Sequence, residues 1–221
     1  MLVVVEEISF TGSSRNCCVC FIDIVDSTRI TTLEITDPHK IKRYYSIFIN
    51  TMAALARDFD ATVIKNTGDS VIFYFPKTTD SSTNMSAFKN VFECGLTMIS
   101  VNPIINVKLH KEGGLPNLSY RISADYGRVE IAKSLTSTSE DLFGPAVNLC
   151  AKINPRAEPN GMVIGKGLYQ VTNTTFDDLY HFNKIDGYSI DDSNNQYSIY
   201  SIVSKDNNSN AKRLSQYKDM L

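Results

Sequence analysis

The chain has 221 residues, 43% hydrophobic and 21% charged, the profile of an ordinary globular domain with room for one large core. A formal net charge of −2 excludes the broad basic face that nucleic-acid binding needs, but not a nucleotide, whose phosphates a bound metal can neutralise. No apolar run approaches membrane-spanning length, and "MLVVV" is too short for a signal peptide's apolar region and lacks its basic flank.

Cys17–Val25, "CCVCFIDIV", is almost continuously apolar and reads as a buried central strand. Ser27 or Thr28 then offers a helix cap. Ile41, Tyr44, Tyr45, Phe48, Met52, Leu55 and Phe59 recur at helical spacing, which predicts one amphipathic helix after Pro38. "ATVIKN" and "SVIFYF" are two strands joined by a tight turn that holds Gly68 and Asp69. After the loop "TTDSSTN" a second helix is expected over Ala87–Ile99, and "KLHKEGGLPN" reads as a polar loop. "SYRISADYGRVEIA" reads as strand, turn at Gly127, and strand, with a Ser/Thr loop following at Ser134–Ser139. "GPAVNLCAKIN" is a helix with Pro in its first turn. A short strand "GMVIG", a short helix "KGLYQVT" and two late strands, "DDLYHFNKI" and "QYSIYSIV", complete the pattern.

This order predicts an α+β domain, a mostly antiparallel sheet with helices packed on one face. The expected divisions are an N-terminal extension over 1–15, one folded domain over 16–203, and a polar, fraying tail over 204–221. The five cysteines are odd in number and three share one strand, which points to a reduced, cytoplasmic protein.

Two carboxylates carry the chemistry. Asp23 sits inside an apolar strand, where it costs several kcal/mol unless something pairs with it. Asp69 sits at the hairpin tip. Taken singly, Asp23 is a helix cap and Asp69 a turn residue. Taken together, on neighbouring strands, they suit a hard divalent cation such as Mg²⁺ or Mn²⁺, beside a helix start able to receive phosphate. His39, His110 and His181 lack metal-ligand spacing, and "CCVC" lacks the paired spacing of a zinc site.

"FIDIVDST", "KNTGDSVIFYF" and "DLFGPAVNLCAK" resemble, in order and separation, the three motifs of the class III nucleotidyl cyclase family. The resemblance covers most of the chain and implies that family's palm-type, ferredoxin-like sheet. It implies an adenylate cyclase that converts ATP to 3′,5′-cyclic AMP and pyrophosphate, as a head-to-tail homodimer with two Mg²⁺ or Mn²⁺ ions per site. By resemblance, Asp23, Asp69 and the Ile24 main chain would hold the metals, and Ile24, Val25, Asp26, Ser27 and Thr28 would contact the triphosphate. The other subunit's Lys65 and Asp141 would read the base. Its Asn148 would orient the ribose, and its Lys152 would steady developing charge. Lys152 stands where the family usually has Arg, and Asp125 where many relatives carry His. Those departures keep open a pyrimidine or guanylate cyclase of the same fold, or a weakly catalytic nucleotide-binding regulatory dimer.

Overall fold

The computed structural model describes residues 14–79, 84–133, 140–189 and 196–218. The Ser134–Ser139 loop, most of the N-terminal extension and the turn between the last two strands lie outside the described residues. The elements run β1 (Arg15–Ile24), α1 (Ser27–Arg29), a π-helical turn (Ile30–Glu34), α2 (Pro38–Asp58), β2 (Thr62–Thr67), β3 (Ser70–Phe75), α3 (Met85–Ser100) and α4 (Asn102–Lys111). They continue with β4 (Tyr120–Lys133), β5 (Glu140–Phe143), α5 (Pro145–Ile153), β6 (Gly161–Gly165), α6 (Lys166–Phe176), β7 (Tyr180–Ser189), β8 (Gln196–Ser204) and α7 (Ser209–Tyr217).

The sheet has the order β2-β3-β1-β4-β6-β8-β7, with β5 paired to the far end of β4. Every pairing is antiparallel except β4 with β6. β1 is central, so both its faces are covered, and its side chains divide strictly by alternation. Cys18, Cys20, Ile22 and Ile24 enter the larger core. Cys17 and Val19, with Phe21 alongside, enter a smaller one. The larger core is built with the apolar faces of α2, α3, α4 and α6: Tyr44, Phe48, Met52 and Leu55 of the expected stripe are all buried there. The smaller core is closed by α5 through Ala146 and Cys150. Helices therefore cover one face as expected, and α5 alone is an addition on the opposite face. That face carries Asp23, one of the two carboxylates expected to hold a metal.

Several local expectations are corrected. Ser27 and Thr28 lie inside the first helical turn, and the residue before it is Asp26, in the left-handed region at φ 54°. "KLHK" belongs to α4, because Leu109 buries against the larger core. Gly127 is no turn: β4 runs unbroken through it, pairing with Cys17. Gly68 does make the turn expected of it, at φ +64°.

The tail expected to fray instead forms α7. Arg213 is buried to 6% exposure and its guanidinium forks onto Glu93 of α3, with Nη2–Oε2 at 2.9 Å and Nε–Oε2 at 3.0 Å. Tyr180 donates its hydroxyl to the same carboxylate at 2.6 Å. Polarity of the tail hid this, since the anchor is a charge and not an apolar stripe.

Asp125 is a buried carboxylate, 1% exposed, and it caps α6 from a neighbouring strand. It accepts from the Leu168 amide at 3.2 Å, the Tyr126 amide at 2.9 Å and the Tyr197 hydroxyl at 2.6 Å. Gly165 permits the approach, since a Cβ there would stand 2.4 Å from the Asp125 carboxyl carbon. Burial pushes this carboxyl from 3.8 up to about 6, against those hydrogen bonds.

Two measurements follow. Arg213→Ala leaves Glu93 half-buried without its cation and should lower unfolding free energy by about 3 kcal/mol in urea titrations; a change below about 0.5 kcal/mol would mean α7 is not anchored through this pair. For Asp125, the folded state holds the proton more tightly than the unfolded chain. Its contribution is thus fully present below about pH 4 and fades by up to about 3 kcal/mol as pH rises to about 6. Asp125→Asn should lack that component of the pH slope; equal slopes in wild type and variant would contradict the assignment.

Candidate active site

Asp23 is the next to last residue of β1, at the end where the strand runs out of cover. Its in-register neighbours are Ser70 on β3 and Arg121 on β4. Directly opposed residues in an antiparallel sheet point to one face, so a carboxylate, a hydroxyl and a guanidinium stand side by side. Ser70 donates to Asp23 Oδ1 at 2.7 Å. Burial first, and then the nearby charge of Asp69, push the Asp23 carboxyl above its ordinary value, while Ser70 and Arg121 oppose the rise.

Asp69 follows the Gly68 turn at the tip of the β2–β3 hairpin, and its Oδ2 accepts the Ser27 hydroxyl. Asp23, Ile24, Asp26, Ser27, Thr28 and Asp69 line one open cleft of about 690 Å³, together with Arg121 and the exposed Leu33. That volume suits a nucleotide-sized ligand. Ile24 buries its side chain in the larger core, so it is the main chain there that borders the cleft. The Val25 amide is committed to the Ser119 carbonyl at 2.8 Å.

The donor set fits a hard divalent cation. It consists of carboxylate and carbonyl oxygens, with no thiolate or imidazole, and the charge of Asp69 raises the energy of ionised Asp23 until a cation joins them. Among the described residues no group of three or more His, Cys, Asp or Glu could hold a metal. A cation at Asp23 and Asp69 would therefore take its remaining ligands from water and phosphate, which is the habit of Mg²⁺.

The other expected residues form a second group. Asn148 and Lys152 are one helical turn apart on α5, and both are exposed. α5 is pinned by its far end: Ser123 donates to the Cys150 carbonyl at 2.8 Å, and the Asn154 amide reaches the carbonyls of Phe21 at 3.1 Å and Arg121 at 3.2 Å. Lys65 lies on β2 and Asp141 on β5, strands that approach one another. Among the residues whose side chains are described, Asp141, Asn148 and Lys152 lie outside the carboxylate cleft. One protomer thus brings together Asp23 and Asp69 in one cleft and, apart from it, holds Asp141, Asn148 and Lys152.

Sequence reasoning missed Arg121. Its Nε is buried without a hydrogen-bond partner, an orphan donor beside two carboxylates in a cleft. The sequence "YRISAD" puts Arg121 on the alternation phase of Ser123 and Asp125, but only the pairing of β4 with β1 sets it opposite Asp23. Arg156, four residues after Lys152, is exposed on the 3₁₀ turn that follows α5.

The family model for the adenylate and guanylate cyclase catalytic domain matches residues 11–204. A search of curated protein sequences returns no match. Among solved structures, the adenylyl cyclase CyaB from P. aeruginosa superposes with a TM-score of 0.74 at 17% identity, covering 87% of this chain and 95% of that one. The guanylyl cyclase Cya2 gives 0.75 at 19% identity, covering 89% and 97%. The guanylate cyclase domain of RhGC from Catenaria anguillulae, in complex with GTP, gives 0.70 at 14% identity, covering 87% and 98%. These likenesses establish the fold, and they include both adenylyl and guanylyl enzymes. With three ordered motifs, a matching sheet and a family model spanning nearly all of it, the chain belongs to the adenylate and guanylate cyclase catalytic domain family.

Proposed function

We propose that this chain is an adenylate cyclase that forms 3′,5′-cyclic AMP and pyrophosphate from ATP, at sites shared between the two subunits of a homodimer. The observation that carries the reading is the meeting of Asp23 and Asp69 in one cleft with the unpartnered Nε of Arg121. Two carboxylates alone would repel a triphosphate; with a divalent cation and a guanidinium they bind one.

Asp23, Asp69 and the Ile24 carbonyl would hold Mg²⁺ or Mn²⁺. Such ions lower the pKa of the ribose 3′-hydroxyl and neutralise charge on the phosphates. Arg121 supplies fixed positive charge on the same sheet face, and Asp26 to Thr28 border the phosphate path. Asn148 of the second subunit would orient the ribose for attack of its 3′-oxygen on the α-phosphorus. Lys152 would meet charge that grows as pyrophosphate leaves. These groups position and stabilise, which is most of what phosphoryl transfer asks of a protein.

Base choice follows from donor and acceptor inventory. Adenine offers a ring acceptor at N1 and an exocyclic amine donor; Lys donates only, and ionised Asp accepts only. Lys65 with Asp141 therefore complements adenine, whereas guanine presents the reverse pattern. Lys at 152 favours a second reading, a slow or regulatory nucleotide-binding dimer, because an ammonium lacks the planar fork of Arg.

Incubation with each of ATP, GTP, UTP and CTP plus Mn²⁺, with products identified by mass, tests both. Cyclic AMP should dominate, with kcat/KM for ATP above that for GTP by about tenfold or more. Lys65→Glu combined with Asp141→Cys should erode that preference. A higher kcat/KM for GTP or a pyrimidine would overturn the base assignment, and no cyclic product with any nucleotide would favour the regulatory reading.

A further inference from the structure

The two serine hydroxyls in the cleft make a reciprocal pattern. The β1–α1 segment carries Asp23 and, four residues on, Ser27; the hairpin tip carries Asp69 and, next to it, Ser70. Ser27 donates across the cleft to Asp69, and Ser70 donates back across the sheet to Asp23. Each segment thus presents one carboxylate and supports the carboxylate of the other. Both serines are nearly buried, at 8% and 7% exposure, while the carboxylates they hold are more open. A buried hydroxyl has little water to turn to, so each donates in one direction and selects one rotamer of its acceptor. An ionised carboxylate has about four lone-pair sites, so one hydroxyl leaves the rest for a cation.

We propose that Ser27 and Ser70 are positioning residues that cross-brace the two acidic side chains and hold them at the separation and orientation a divalent cation requires. This rests on the reading of Asp23 and Asp69 as metal ligands. Without the brace the two acidic groups would swing apart to relieve their mutual repulsion, and binding would have to bring them together again. Ser27 also ties the segment beside the phosphate path to the hairpin, so loss of either hydroxyl loosens both walls of the cleft. Partners of metal ligands of this kind are worth about 10- to 100-fold in affinity when removed.

The test is direct binding of Mn²⁺ alone to the purified protein, followed by the loss of the free-ion electron paramagnetic resonance signal, with thermal unfolding recorded in parallel. Ser27→Ala and Ser70→Ala should each weaken Mn²⁺ binding about tenfold while unfolding stays cooperative and near the wild-type temperature. Ser70→Thr, which keeps the hydroxyl on a strand that favours β-branching, should restore affinity. Asp23→Asn and Asp69→Asn separate the two levels of the proposal. If they bind Mn²⁺ as tightly as wild type, or wild type binds none, the metal reading itself is wrong and the brace falls with it. If they weaken binding and the serine variants do not, or Thr fails to recover what Ala lost, the carboxylates bind metal without the brace.

Discussion

Everything in this fold that bears on function follows from one carboxylate placed where a carboxylate is costly. Asp23 sits next to last in a largely buried strand, and burial is the main cause that raises the energy of its charged form. The sheet meets that cost with the two residues directly opposite, Ser70 and Arg121, one on each flanking strand. Asp69 then adds a second negative charge at close range and leaves the group wanting a cation. In the proposed function a divalent cation and phosphate supply what that group lacks, so the site would be preorganised for them.

The strand alternation that puts Asp23 on one face also decides which face is free for substrate. On the helical side, α2, α3, α4 and α6 seal the larger core. On the other side α5 is the cover of a small core, and it leaves the carboxylate end of the sheet open. α5 is fastened through Ser123 and Asn154 to the same two strands that carry Asp23 and Arg121. Asn148 and Lys152 on α5 are therefore fixed relative to Asp23 and Arg121 within a protomer, yet they lie outside the cleft. A two-fold pair of such chains would present each group to its complement twice, once in each site.

Much of this was legible in the residues. The continuous apolar run of β1, the helical stripe from Ile41 to Phe59 and the turn at Gly68 each follow one periodicity or one conformational rule, and each formed as read. What was not legible depends on contacts distant in sequence. The run through Gly127 continues as a strand because β1 pairs with it on both sides of that residue. α7 forms because Arg213 finds Glu93, 120 positions away. In the site, the carboxylates stood out because charge in an apolar strand is conspicuous. Ser70 and Arg121 gain their meaning only from the register that sets them against Asp23, and Ser27 gains its link to Asp69 only from the fold that brings α1 to the hairpin tip.

The central claim is that one subunit's carboxylate cleft works with the other subunit's α5. Asp69→Ala and Asn148→Ala homodimers should each be inactive, one lacking metal binding and the other the ribose contact. Mixing them after subunit exchange concentrates both lesions in one site of the mixed dimer and leaves its second site intact. With random exchange about half the dimers are mixed, so activity should recover to roughly a quarter of wild type. A mixture of Asp69→Ala with Asp23→Ala, which damages both sites of the mixed dimer, should stay inactive. If the first mixture also stays inactive when exchange is demonstrated, the site is not shared between subunits, and Asp69 and Asn148 must serve the same chain.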